Sequence, residues 1–131
     1  MGFACTLVAA QQKNTPKTER PSLSLKLAPR TGMAPSRVTG TAELKGGSND
    51  SEDYYCVTME WDWDDGTRSE QTADCEPYQA GKSEIKRRYT VEHVYDRSGS
   101  YRVTFRLKKK DKIIAATTAT VQVIGGNPFG Y

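Results

Sequence analysis

Hydrophobic and polar residues alternate one by one through much of the chain, which is the pattern of half-buried β-strands. The clearest run covers residues 57–64, in which Val57, Met59, Trp61 and Trp63 alternate with Thr58, Glu60, Asp62 and Asp64. Two indoles on one face supply a large apolar area for a small core. Asp65-Gly66 ends the run, and glycine there supplies the positive φ of a tight hairpin turn. The pattern predicts a central strand over 54–63 and a polar edge strand over 67–72.

The same alternation predicts the other strands, which cover 23–27, 38–44, 85–95, 101–107 and 113–123. Residues 29–35 and 75–82 are rich in turn formers, and no segment has a helical period. About seven short strands at regular spacing predict an all-β chain, a sandwich of antiparallel strands in two sheets. If the strands alternate in direction, the acidic loop 45–53 faces the basic turn 108–112 at one end.

The chain has 131 residues, enough for one domain with its own core, and residues 22–124 form that predicted domain. Residues 11–21 lack apolar periodicity and are predicted to be a flexible tether. Residues 125–131 are predicted to be a flexible tail carrying Phe129 and Tyr131.

The first ten residues are interpreted as the remnant of a signal peptide. Residues 2–10 are small or apolar, and Val8-Ala9-Ala10 before Gln11 matches the small residues that signal peptidase cleaves after. The mature chain is then predicted to begin near Gln11. Two alternatives stay open: a start without function, and N-myristoylation of Gly2 with palmitoylation of Cys5.

Removal of the signal would leave two cysteines, Cys56 and Cys75, which predict a disulfide in a secreted chain. A two-residue turn at Asp65-Gly66 would pair Asp62 with Ser69 and Cys56 with Cys75. Their Cα atoms should then lie within about 7 Å, the limit for a bridge. A longer turn after Trp63 would change this register. Two free thiols, as in a cytosolic protein, are the alternative.

Three motifs resemble the PKD (polycystic kidney disease) domain family. Residues 61–67 follow Trp-Asp-Phe-Gly-Asp-Gly-Thr, with Trp63 for Phe and Asp64 for Gly. His93-Val94-Tyr95 and residues 98–103 match His-Thr-Tyr and Pro-Gly-Thr-Tyr-x-Val, with Ser98 for Pro, and residues 34–38 match Ala-Pro-Leu-x-Val. The resemblance implies an immunoglobulin-like β-sandwich with these structural signature residues: Trp61, Trp63, Asp65, Gly66, His93, Tyr95, Gly99 and Tyr101. Tyr101 sits where a tyrosine corner bonds to upstream backbone.

Candidate chemistry is sparse. The single histidine, His93, lies at a structural position of the resembled family, and no phosphate loop, catalytic carboxylate pair or zinc spacing is present. The chain is therefore predicted not to be an enzyme and to need no cofactor. Asp62, Asp64 and Asp65 are weak candidates for calcium, which some PKD domains of secreted proteases bind. The alternative is that these carboxylates cap backbone N–H groups in the turn.

The resemblance implies a secreted or cell-surface binding module that contacts an extracellular protein or polysaccharide. The alternative is a structural subunit that self-associates by pairing of edge strands. A formal charge of +3, without basic residues interleaved with exposed aromatics, argues against nucleic acid as a partner. The sequence has no apolar stretch of the length that a membrane span requires.

Overall fold

A computed structural model describes residues 20–125 of the chain. The predicted signal remnant (1–10) lies outside the described residues, as do all but the last two residues of the tether and all but the first residue of the tail. Within the described range, no helix has the length and apolar character needed to cross a bilayer.

The described residues form eight strands and one turn of 3₁₀-helix at Glu52–Tyr54. The strands are β1 (Ser22–Ala28), β2 (Thr31–Met33), β3 (Ser36–Lys45), β4 (Thr58–Asp62), β5 (Arg68–Thr72), β6 (Arg88–Tyr95), β7 (Gly99–Lys109) and β8 (Lys112–Ile124). The predicted all-β class is confirmed, and each predicted strand has a counterpart.

Two sheets form the sandwich. One has the order β1-β3-β6 and the other the order β2-β8-β7-β4-β5. Neighbours run antiparallel except β2, which pairs in parallel with β8. This strand corrects the prediction of a turn-rich connection over 29–35. Three residues are too few to show alternation, and β2 forms because β8 offers backbone partners, including the Ile124 carbonyl that accepts from Ala34 N–H at 2.8 Å.

The core lies between the sheets and is centred on the two indoles. The Trp61 and Trp63 rings are stacked with centroids 5.2 Å apart, and Phe105 lies 4.5 Å from Trp61. Both tryptophans, Val103 and Phe105 are buried, and Tyr101 is partly buried and packs against this core. Gly40 makes room for the indole, because a Cβ there would lie 2.6 Å from the Trp61 ring.

The hairpin between β4 and β5 has a longer turn than predicted. Asp62 pairs with Arg68 rather than with Ser69, and Trp63 N–H donates to the Thr67 carbonyl at 3.2 Å. Asp64 adopts a φ of 65° and Gly66 a φ of 88°. Asp64 thus takes a left-handed conformation at the position where the PKD motif has glycine. Aspartate tolerates that conformation better than most residues. The predicted register was therefore wrong by one residue.

The structure nevertheless joins Cys56 to Cys75. Their Cα atoms lie 5.9 Å apart, within the expected limit. Both cysteines lie beyond the paired residues of β4 and β5, and Cys56 has a φ of 57°. The bridge therefore closes the open end of the hairpin, where strand register no longer decides which residues meet.

Candidate binding cleft

The loop between β3 and β4 is held in shape by the long crossover between β5 and β6. The Arg87 guanidinium donates to the Asn49 side chain at 2.7 Å and to the Gly46 carbonyl at 2.8 Å. Tyr78 donates its hydroxyl to the Asp50 carbonyl at 2.6 Å. Hydrogen bonds from the Ser48 hydroxyl and the Gly81 N–H hold the pKa of Asp50 below its ordinary value. The loop is thus a fixed acidic surface rather than a loose connection.

The turn between β7 and β8 forms the opposite surface. Lys110 and Asp111 both have positive φ, 52° and 66°, as in a type I′ hairpin turn. The Lys109 ammonium donates to the Glu52 carbonyl at 3.0 Å and also to the Tyr55 carbonyl. Lys109 therefore fixes the basic turn against the acidic loop.

An open cleft of about 1320 Å³ lies between the two surfaces. It is lined by Arg20, Ser48, Ser51, Glu52, Asp53, Tyr54, Lys109, Lys110, Lys112, Ile113 and Ile114. Four of these residues are cationic and two are acidic, and the Ile113 side chain at the rim is 55% exposed. The prediction that the acidic loop 45–53 faces the basic turn 108–112 is confirmed.

Several lining residues were not singled out from the sequence. Arg20 reaches the cleft because the chain enters the domain beside Gly47, whose missing Cβ would lie 2.7 Å from Pro21. Ile113 and Ile114 belong to β8 and give the cleft its apolar surface. The sequence signal that could have identified them is their position directly after the lysine-rich turn 108–112.

The carboxylates of the three calcium candidates each accept a hydrogen bond from a backbone N–H. Asp62 accepts from the Asp64 N–H at 3.1 Å, and Asp64 accepts from the Arg102 N–H at 2.8 Å. Asp65 accepts from the Thr67 N–H at 3.1 Å. Among residues 20–125, no cluster of three or more His, Cys, Asp or Glu is arranged to hold a metal ion. The carboxylates are arranged to shape the turn.

His93 joins the same turn to β6. Its Nε2 lies 2.7 Å from Asp65 Oδ2, and its ring is stacked 4.6 Å from Trp63. Tyr95 donates its hydroxyl to the Trp63 carbonyl at 2.7 Å. No hydroxyl or thiol within the described range is hydrogen-bonded to His93. These contacts give the histidine a structural role.

Tyr101 forms the expected tyrosine corner. Its hydroxyl donates to the Arg97 carbonyl, four residues upstream, at 2.7 Å. Its ring is stacked against Tyr95 with centroids 4.1 Å apart. Gly99 lies under the ring, since a Cβ there would be 3.3 Å from the Tyr101 hydroxyl. Apart from Gly66, the structural signature residues are therefore linked by ring contacts and hydrogen bonds around the β4–β5 turn and the β6–β7 connection, and none of them lines the cleft.

We expect Asp65 to make the stability of the domain fall at acid pH. Burial opposes its ionisation most strongly, but hydrogen bonds from Thr67 and His93 outweigh burial and hold its pKa below the ordinary 3.8. The native state therefore binds this proton less tightly than the unfolded chain. The stabilisation is present above pH 3.8 and is lost as the pH falls through the lower native pKa.

Urea unfolding of the wild type and an Asp65→Asn variant measures this contribution. At neutral pH the variant should be less stable by about 1 kcal/mol, because a charged hydrogen bond is replaced by a neutral one. The difference should narrow as the pH falls from 3.8 through the lower native pKa, because Asp65 then becomes protonated and neutral, as the asparagine is at every pH. A difference that stays constant with pH would show that Asp65 is not the titrating group.

No protein-family model matches the sequence, and no curated protein matches it. Among solved structures, the chain is similar to the PKD domain of an M14-like peptidase from a Thermoplasmatales archaeon, with 16% identity and a TM-score of 0.55. That match covers 82% of this chain and 98% of the other.

A second likeness is to the CARDB domain of a Pyrococcus furiosus protein. Its crystal structure, in complex with di-metal ions, is 17% identical, with a TM-score of 0.52, covering 81% of this chain and 96% of that one. Its solution NMR structure is 13% identical, with a TM-score of 0.51, covering 81% and 97%. The chain therefore has a PKD-like, immunoglobulin-like fold.

Proposed function

We propose that this PKD-like domain is a non-catalytic, extracellular binding module that holds a protein partner in the cleft between the β3–β4 loop and the β7–β8 turn. The observation that carries the proposal is the cleft itself. It is open and is lined by charged residues of both signs. Small-molecule pockets usually have volumes of about 300–1,000 Å³, so its size favours an extended partner.

The chemistry of the lining favours a protein over a polysaccharide. The aromatic residue among the cleft residues is Tyr54, which is 5% exposed and offers little ring surface to a sugar. The exposed Ile113 offers apolar contact area, and the charged side chains around it would form the polar rim of a protein interface. The excess of cations favours a partner segment with net negative charge, and Glu52 and Asp53 would receive its basic residues.

The non-catalytic part of the proposal rests on His93, whose ring nitrogen and ring face are engaged by Asp65 and Trp63. The extracellular part is supported by the Cys56–Cys75 bridge, because disulfides persist in oxidising compartments.

A peptide-display selection against the full chain, with a glycan array probed in parallel, tests the proposal. We expect selected peptides to be acidic and to bind less tightly as salt is added. A Lys110→Glu/Lys112→Glu variant should weaken their binding by about tenfold, since each exposed ion pair is worth up to about 1 kcal/mol.

Lys26→Glu is the control, because Lys26 is exposed on β1, outside the cleft lining, and undergoes the same substitution as each of the two lysines. Peptides that bind the double variant as tightly as the wild type would contradict the cleft as the site. Glycan binding without peptide binding would replace the protein partner with a polysaccharide.

A further inference from the structure

Strand β6 is an edge of the three-stranded sheet, with β3 on one side and no described strand on the other. The Leu44 N–H donates to the Arg87 carbonyl at 2.9 Å, and bonded pairs alternate with non-bonded pairs along an antiparallel ladder. Tyr89, Val91 and His93 therefore direct their backbone groups toward β3. The residues between and beyond them direct N–H and C=O away from the sheet; these are Arg88, Thr90, Glu92 and Val94.

This edge lacks the features that usually prevent strand pairing. Its register with β3 is continuous over eight residue pairs without a bulge, and the strand contains no proline or glycine. Its two charged side chains lean toward β3, where Arg88 lies 3.8 Å from Glu43 and Glu92 lies 3.0 Å from Arg37. A continuous strand without proline or a bulge can accept another strand.

The other edges of the described fold are less suitable. Strand β1 packs against β8 of the other sheet. Strand β2 has three residues, and β5 has five, all of them polar. Strand β6, with eight residues, is therefore the longest edge without a packed neighbour strand.

We propose that two copies of this chain pair through their β6 strands, antiparallel, about a two-fold axis at Thr90. In this register Arg88 of each copy faces Glu92 of the other, and Thr90 faces Thr90. Opposite charges and paired threonines are favourable across an antiparallel ladder. On the inner face Tyr89 faces Val91 of the second copy, an aromatic and β-branched pair of the kind that stabilises sheets.

The charges select this register over its neighbours. With the axis at Val91, Arg88 would face Val94 and both ion pairs would be lost. With the axis at Glu92, two glutamates would face each other, which is destabilising. With the axis at Thr90, the existing ion pairs of the two copies join across the interface. Negative and positive side chains then alternate in the order Glu43, Arg88, Glu92 of the second copy and Arg37 of the second copy. The result is one six-stranded sheet with the order β1-β3-β6-β6-β3-β1.

Sedimentation equilibrium of the full chain tests the pairing by charge exchange. The wild type should be a reversible dimer. Arg88→Glu and Glu92→Arg should each raise the dimer Kd by about tenfold or more, because each places like charges at both symmetric contacts. An equimolar mixture of the two variants should dimerise about as well as the wild type, because each introduced charge then faces its opposite. Lys26→Glu, on β1 at the opposite edge of the same sheet, should leave the Kd unchanged.

A disulfide cross-link tests the position of the axis. In a Cys5→Ser background, Thr90→Cys should form a covalent dimer on oxidation, because Cα atoms of a hydrogen-bonded pair lie about 5.5 Å apart, within disulfide range. Thr41→Cys is the matched control, since Thr41 lies beside Thr90 on β3, one strand farther from the axis. Peptide mapping identifies the linked residues.

A wild type that stays monomeric at high concentration would overturn the proposal. So would a dimer that ignores both charge variants, or a mixture that fails to restore pairing. If residues 1–19 occupy the β6 edge instead, Thr90→Cys will not cross-link and charge exchange will not rescue the dimer.

Discussion

Replacing Trp61 with alanine should lower the free energy of unfolding by about 3–5 kcal/mol, the usual cost of removing a large buried aromatic side chain. Trp61 is 4% exposed and touches both layers of the sandwich: it stacks on Trp63, contacts Phe105 and fills the space left by Gly40. Because a typical domain is stable by about 5–15 kcal/mol, the variant should lie close to the limit of folding.

A urea titration followed by circular dichroism measures the loss. Ile124→Ala, which shortens a side chain that is 53% exposed, is the control and should change stability by less than about 0.5 kcal/mol. Gly40→Ala tests the contact from the other side. It should destabilise the wild type by about 1–3 kcal/mol through crowding of the indole, and less in a Trp61→Phe background. A Trp61→Ala variant with wild-type stability would contradict the assignment of Trp61 to the core.

The alternation of hydrophobic and polar residues predicts strands well where one face of the sheet is buried and the other is exposed to solvent. Strand β7 shows this: Val103, Phe105 and Leu107 are fully buried, while the residues between them are partly exposed. The same rule extended the central strand too far. It predicted a start at Tyr54, but β4 begins at Thr58, because Tyr54 ends a 3₁₀ turn and Cys56 takes a positive φ.

Features that depend on distant partners were harder to predict. Strand β2 exists because β8 supplies backbone partners across more than ninety residues of sequence. The extra residue in the β4–β5 turn follows from the left-handed φ of Asp64. A glycine at this position would have predicted that conformation, whereas an aspartate does not.

The candidate cleft was predictable in position but not in form. Counting strands placed the acidic loop and the basic turn at one end of the sandwich. The contacts that hold them in place, from Arg87 to Asn49 and from Lys109 to Glu52, join residues far apart in the chain. Sequence alternation carries no information about such pairs, so the lining residues had to come from the fold.

Removing the disulfide should cost about 3 kcal/mol, mainly because the bridge restricts the unfolded chain. Cys56 and Cys75 are 19 residues apart, and the bridge closes a loop that contains the whole β4–β5 hairpin. In the native state other contacts hold the same ends together: Tyr55 donates its hydroxyl to the Glu76 carbonyl at 2.6 Å, and Ala73 N–H donates to the Val57 carbonyl at 3.4 Å. We therefore expect a Cys56→Ala/Cys75→Ala variant to keep the native fold while its unfolding free energy drops.

Urea unfolding of the oxidised wild type and of the double variant measures the difference. The near-ultraviolet circular dichroism of the two folded proteins should agree in the tryptophan region, since the stacked indoles lie in the core rather than at the bridge. Thiol titration of a refolded Cys5→Ser variant, which keeps Cys56 and Cys75, should find no free thiol. Two free thiols after oxidative refolding, or equal stability of the two proteins, would show that the bridge does not stabilise this domain.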